Sequence, residues 1–285
     1  MTSAILIALV SAALYGAADF LGGLISRRAS ALAVVFVSQF AGAVALLALL
    51  PLLPAATVAR EDLIWGAVAG LGGGTGVALL YRALAIGTMS VVAPTTAVCA
   101  VAVPVAVAML LGERPAALSL AGIGLALLAI VLISQSPQPA ASPHSGTGAR
   151  RALPIAIASG VAIGVFYLAL ARTSRTAGMW PLLAARGAST VLVAGMALAS
   201  GHGAVGVPRR VLPMAIGCGL IDMAANALYL VAARGAPLSV VVTLASLYPA
   251  STVILARLVL HERLGPLQIA GVFACLVAIV MIVRG

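Results

Sequence analysis

The sequence predicts an all-α integral membrane protein of ten transmembrane helices arranged as two inverted five-helix repeats. Three observations lead there. Apolar residues make up 63% of the 285 and charged residues only 8%, with a mean hydropathy of +1.22, whereas a soluble domain carries roughly 25% charged residues. Apolar runs recur along the whole chain at the ~20-residue length that crosses a bilayer. The second half also repeats charged and turn residues of the first at a nearly constant offset.

Taken in order, the apolar runs lie at 3–25, 31–52, 64–86, 90–111 and 116–134, then at 152–171, 180–199, 211–233, 238–259 and 265–283, separated by charge, Gly or Pro. The first has no basic residue ahead of it, the earliest being Arg27, and is longer than the apolar stretch of a cleavable leader; a retained first span is expected. Between the fifth and sixth runs, Gln135 to Arg151 is rich in Pro, Ser and Gly and has the composition of a flexible linker. The expected organisation is a first repeat at 1–134, a linker at 135–151 and a second repeat at 152–285.

The repeat is visible in residue identities. At an offset of 149, Ser90-Val91-Val92 matches Ser239-Val240-Val241, Glu113-Arg114 matches Glu262-Arg263, and Ala129-Ile130-Val131 matches Ala278-Ile279-Val280. At 148, Ser11 matches Ser159, Gly16 matches Gly164, Tyr81 matches Tyr229 and Gly87 matches Gly235. Shared apolar letters alone would not reproduce the Glu-Arg pair. Five spans is an odd number, so a duplicated module re-enters the membrane upside down. Inverted repeats suit alternating access to a midplane site, which points to a solute transporter.

Composition also excludes functions. The +10 net charge is the balance of sixteen basic residues, all Arg, against six acidic ones. They stand singly or in pairs at the ends of apolar segments, as membrane topology requires, and form no stripe for a phosphate backbone, so no nucleic-acid partner is expected. Arg without Lys, among abundant Ala and Gly, suits a GC-rich bacterial genome and a multi-pass protein of the inner (plasma) membrane. Cys99, Cys218 and Cys275 lie within apolar runs with no C-x-x-C spacing and read as small core residues. The Gly-rich run at 70–76 lacks a nucleotide-binding pattern; its G-x-x-x-G pairs suit close helix packing. His261-Glu262 has Gly265 where a zinc helix needs a second His. No catalytic, cofactor or metal site is expected.

Charges inside apolar spans are expensive, about 2.5–3.5 kcal/mol each on insertion scales, and are functional candidates by default. Asp19, Arg186, Asp222 and Arg82 are such residues. Helical spacing puts Ser11, Tyr15 and Asp19 on one face of the first span, and Asp222, Asn226 and Tyr229 on one face of the eighth. In the ninth, Tyr248 precedes Pro249, where a proline frees backbone carbonyls and permits a kink. Tyr15, Asp19, Arg186, Asp222, Asn226 and Tyr248 are the expected solute-binding set. One of the two aspartates would hold a cationic group or a proton; the alternative is an aspartate paired permanently with Arg186 or Arg82. For Ser239, Thr243 and Ser246, helix-to-helix or back-bonded hydroxyls are the plainer reading. Tyr81 and Tyr229, near span ends, suit an interfacial belt equally well. Glu113 and Glu262 read as caps beside Arg114 and Arg263 and the start of the next helix.

The two halves, with Leu111-Gly112-Glu113-Arg114 and Leu260-His261-Glu262-Arg263 closing the fourth and ninth spans, resemble the EamA-type permeases of the drug/metabolite transporter superfamily over essentially the whole chain. His261 in place of Gly departs from the pattern. The resemblance implies export or exchange of small metabolites such as amino acids, cytoplasmic termini, and a central cavity lined by the first four spans of each half with the fifth spans peripheral. The Arg count leans the other way: Arg60, Arg114, Arg172, Arg175, Arg234 and Arg284 share the face of the termini, and nine others lie opposite. The expected partners are a small-molecule substrate and the lipid bilayer; the oligomeric state is open, a monomer included. Competing classes are a non-transporting membrane scaffold and an intramembrane aspartyl hydrolase, the latter needing Asp19 and Asp222 in contact to share a proton.

Overall fold

The computed structural model describes residues 2–26, 29–54, 56–86, 89–133, 145–199, 207–260 and 265–284, and among these all regular structure is helical. The elements are α1 (Thr2–Ser26), α2 (Ala31–Leu49), α3 (Arg60–Ile86), α4 (Met89–Leu110), α5 (Ala117–Ile133), α6 (Ser145–Ala171), α7 (Trp180–Ala199), α8 (Leu212–Ala233), α9 (Leu238–Ala245), α10 (Tyr248–Leu260) and α11 (Pro266–Arg284). In hydrocarbon every backbone N–H and C=O must be satisfied within the chain, which a helix does segment by segment. Among the described residues, six stretches are long and apolar enough to cross a membrane: Thr2–Ser26, Ala31–Leu52, Arg60–Ala83, Ala152–Ala171, Trp180–Ala199 and Leu212–Ala233. Shorter apolar helices cover Thr95–Leu110, Ala117–Leu132, Leu238–Thr252 and Pro266–Ile282.

Large apolar side chains point outward, among them Leu6, Phe40, Leu110, Val191, Leu198 and Phe273, while alanines fill much of the interior. That is the distribution expected where helices meet through small residues and face lipid with large ones. Gly70 of α3 lies against Ala185 of α7 so closely that an ideal Cβ would stand 2.1 Å from the Ala185 carbonyl; Gly219 of α8 lies against Ser38 of α2 at the same 2.1 Å. Gly16 of α1 packs on Ser251 of α10, and Gly164 of α6, its counterpart in the sequence repeat, packs on Val103 of α4. Hydroxyls follow suit: Ser11 donates to the Ala225 carbonyl at 2.8 Å, and its counterpart Ser159 to the Gly76 carbonyl at 2.7 Å. The packing accordingly pairs α3 with α6 and α7, α8 with α1 and α2, and α5 with α11.

Two boundaries differ from expectation. The ninth run, expected to be continuous over 238–259, is broken at Ser246 and Leu247. Pro249 has no N–H to return to Ala245, and its ring would collide with that carbonyl. The break makes Tyr248 the first residue of α10. α6 begins at Ser145, inside the stretch expected to be linker, because an established helix extends at the gain of one hydrogen bond per added residue. Most of the expected linker, and the His261-Glu262-Arg263 turn, lie outside the described residues.

The Leu-Gly-Glu-Arg turn has a defined geometry. Gly112, at φ +99°, ends α4 with the paired bonds Glu113 N–H to Ala108 C=O (3.0 Å) and Gly112 N–H to Met109 C=O (3.1 Å), a Schellman arrangement that favours glycine at this position. Glu113 does not cap the helix that follows it. Its carboxylate accepts the Ser239 N–H at 3.0 Å, at the start of α9 in the other half, where Pro237 offers no side-chain cap. At the same end of the bundle, Asp62 accepts the Ser174 N–H (2.7 Å), the Ser174 hydroxyl (2.9 Å) and the Ala59 N–H (3.0 Å), tying α3 to the loop after α6. Arg234, just past α8, donates to the Gly178 carbonyl at 2.9 Å.

Tyr81 and Tyr229 are not at an interface with lipid headgroups; both are buried. Tyr229 donates to the Tyr167 carbonyl at 3.2 Å, because α8 and α6 come close enough for a phenol to reach a backbone oxygen. The back-bonding expected for the α9 hydroxyls is realised at Thr243, which donates to the Ser239 carbonyl at 2.7 Å.

Candidate functional site

A cavity lies where α1, α2, α3, α6, α7 and α8 converge, with the first residue of α10 at its wall. Its empty space, counting the open solvent at its mouth, is about 690 Å³. The described residues of α4, α5, α9 and α11 contribute no lining side chain. The expectation that spans four and nine line the cavity is therefore met only at Tyr248: α4 stays behind α6, and the kink at Pro249 is what turns Tyr248 inward.

All six expected residues, Tyr15, Asp19, Arg186, Asp222, Asn226 and Tyr248, line this one space. Residues more than two hundred positions apart are joined directly: the Tyr15 hydroxyl donates to Asn226 Oδ1 at 2.9 Å, and Asn226 Nδ2 returns to the Asp222 carbonyl one turn earlier at 2.6 Å. The first bond follows from the close seating of α1 on α8; the second is internal to α8.

Arg186 donates from Nη2 to Asp222 Oδ2 at 2.6 Å. Its Nη1 donates to Gln39 Oε1 and its Nε faces Met223 Sδ at 3.3 Å. Ser189, one turn further along α7, donates to the same Gln39 oxygen at 3.2 Å. The Asp222 side chain is 26% exposed and that of Arg186 only 6%, so the carboxylate is the end of the pair that meets the cavity. The pairing expected as one alternative is thus realised, by Asp222. Arg82 takes no part; it is exposed on α3, the turn of the helix having carried it away from the cavity.

Asp19 is different. Among the described residues no hydrogen bond or ion pair reaches its carboxylate, and no hydrogen bond joins it to Asp222, so the two aspartates do not form a proton-sharing dyad. It stands within electrostatic reach of Asp222 and Cys218 on α8, Tyr81 on α3, Tyr167 on α6 and Tyr248 on α10. Aromatic rings share the cavity with it: Tyr15 and Tyr167 meet edge to face at 6.4 Å, and Phe166 lies 5.5 Å from Tyr167.

Sequence reasoning passed over Gln39, Phe166 and Tyr167. Gln39 carried a signal, being an amide in the middle of an apolar span. Tyr167 carried another, since it occupies in the second half the position Asp19 occupies in the first, at the offset of 148. The cavity is consequently asymmetric: α8 presents Asp222 where the equivalent stretch of α3 presents glycine.

Fold and site together define a multi-pass helical membrane protein with a charged internal cavity. The sequence profile of the EamA-like transporter family matches twice, over residues 2–135 and 150–284, and the chain belongs to that family, whose members are transporters of small solutes rather than enzymes. No curated relative matches it in sequence. A crystal structure described simply as that of a protein superposes with a TM-score of 0.77 at 17% identity, covering 99% of this chain and 98% of its own; at that identity the likeness shows the fold alone.

Proposed function

We propose that the protein is a secondary transporter that exports or exchanges small amphipathic metabolites, amino acids or similar solutes, by alternating access to the cavity between its repeats, in the inner membrane of a bacterium. Ten spans in two inverted five-helix repeats, 1–134 and 152–285 joined through 135–151, provide the two conformations: a contact set made at one end in one state is made at the other end in the second. The solute-binding residues are Tyr15, Asp19, Arg186, Asp222, Asn226 and Tyr248. The observation that carries this reading is the carboxylate of Asp19, unpaired among the described residues, inside the cavity between the halves, since intramembrane charges without a partner are retained for what they bind.

Coupling to protons runs through Asp19. Asp222 is occupied by Arg186; among the described residues Asp19 stands within electrostatic reach of Asp222, Cys218 and three phenols and pairs with none of them, so a proton or a solute is its natural partner. Counterflow in proteoliposomes loaded with mixed amino acids and amines, with and without an imposed pH gradient, tests both parts. Gradient-dependent flux in the wild type and its loss in Asp19→Asn are expected. Flux in Asp19→Asn with its pH dependence intact would refute the coupling, and no flux of any solute in the wild type would refute transport.

A further inference from the structure

Resting on the transporter reading, we propose that the cavity selects organic monocations: amphipathic molecules with one ammonium or comparable positive centre, held by Asp19 and by the rings of Tyr15, Phe166, Tyr167 and Tyr248.

The charges in the cavity decide the sign of the ligand. Arg186 and Asp222 cancel at 2.6 Å, and each terminal nitrogen of the guanidinium has a protein acceptor, Gln39 or Asp222. Asp19 has no such partner among the described residues. When Asp19 is ionised, one negative charge is therefore in surplus, in a region where an unanswered charge is costly. A monocation removes that surplus. An anion adds to it and could reach Arg186 only by displacing Asp222, leaving a second carboxylate bare. A zwitterion meets the same obstacle with its carboxylate while its ammonium sits at Asp19.

The walls select the rest of the molecule. Aromatic faces attract cations, by ~0.5–2 kcal/mol per contact depending on desolvation, and four of them line the space that Asp19 enters. The Tyr15 hydroxyl is taken by Asn226, so what this side chain has left for a ligand is its ring rather than a hydrogen bond. Val77, Leu80, Ile163 and Leu182 complete an apolar lining suited to a hydrocarbon body. Because a proton neutralises Asp19 as a cation does, the two compete: acidification weakens cation binding, with Asp222, Cys218, Tyr81, Tyr167 and Tyr248 as the other titratable groups facing Asp19.

Three probes of one skeleton separate charge from shape: 2-phenylethylamine as the cation, phenylalanine as the zwitterion and 3-phenylpropionate as the anion, titrated calorimetrically into the full-length protein in detergent. The cation is expected to bind at least tenfold tighter than either of the others. Asp19→Asn should erase that margin, and Tyr167→Leu should reduce it severalfold without changing charge. Equal or tighter binding of the zwitterion or anion, no binding of the cation, or an undiminished margin in monodisperse Asp19→Asn overturns the proposal. Should Asp19→Asn fail to fold, an unchanged margin in both Asp19→Glu and Tyr167→Leu does the same. Flux in proteoliposomes separates this inference from the reading beneath it: phenylalanine moved in preference to the amine refutes the cation and keeps the transporter. Amine bound but never moved refutes the transporter and keeps the cation site.

Discussion

Arg186 of α7 and Asp222 of α8 form a 2.6 Å ion pair within the second half, leaving Asp19 of the first half as the cavity carboxylate with no counter-ion among the described residues. A pair of this kind brings little net stability, because desolvating both charges offsets their attraction; removing one partner, however, strands the other and costs about 3–5 kcal/mol. Arg186→Gln and Asp222→Asn should each lower the thermal stability of the detergent-solubilised protein by an amount of that order. The double substitution should be milder than the sum of the two. Strictly additive losses would show that the pair is not coupled.

Glycines divide sharply by what surrounds them. A Cβ on Gly70 would stand 2.1 Å from the Ala185 carbonyl, whereas nothing lies within 4 Å of one on Gly124 or Gly217. Gly70→Ala should force α3 away from α7 and destabilise by about 1–3 kcal/mol, as overpacking does. Gly124→Ala and Gly217→Ala should be neutral or stabilising by up to ~1 kcal/mol from helix propensity. Equal effects at the three positions in thermal unfolding would contradict the packing described.

The reach of Glu113 to Ser239 makes a cap that joins the halves. Glu113→Ala should cost about 0.5–2 kcal/mol, the usual loss of a helix cap. Arg114→Ala, at an exposed neighbour, should stay within about 0.5 kcal/mol. If the carboxylate served only its neighbouring arginine, the two variants would behave alike.

Asp62 and Ser174 hold α3 to the loop after α6 through bonds of 2.7 and 2.9 Å. Under the proposed alternating access, this end must open. With the native cysteines replaced by Ala, an Asp62→Cys/Ser174→Cys disulfide should arrest counterflow, and reduction should restore it. Undiminished flux in the fully cross-linked protein would mean that this end does not move.

Membrane insertion, the helical class and the kinship of the two halves were legible in the sequence because they rest on summed or local quantities. Hydropathy adds along a segment, and a Glu-Arg pair recurring at a fixed offset needs no coordinates. The convergence of Tyr15, Asp19, Arg186, Asp222, Asn226 and Tyr248 on one cavity was anticipated for a related reason: a polar side chain in an apolar span has nowhere but the interior to go. The same argument should have found Gln39.

Only the tertiary structure decided which aspartate meets Arg186, that Tyr81 and Tyr229 are interior, that Arg82 is not, and that Glu113 serves α9 rather than its own neighbour. Each depends on the register and rotation of one helix against another, set by close contacts such as Gly70 on Ala185 and Gly16 on Ser251. A shift of one residue turns a helical side chain by about 100°, enough to exchange Asp19 and Asp222 between paired and unpaired roles without altering hydropathy or repeat. The sequence by itself determined that a charged cavity would exist between the halves; the packing of α1 on α8 and of α3 on α7 decided which charge in it is free.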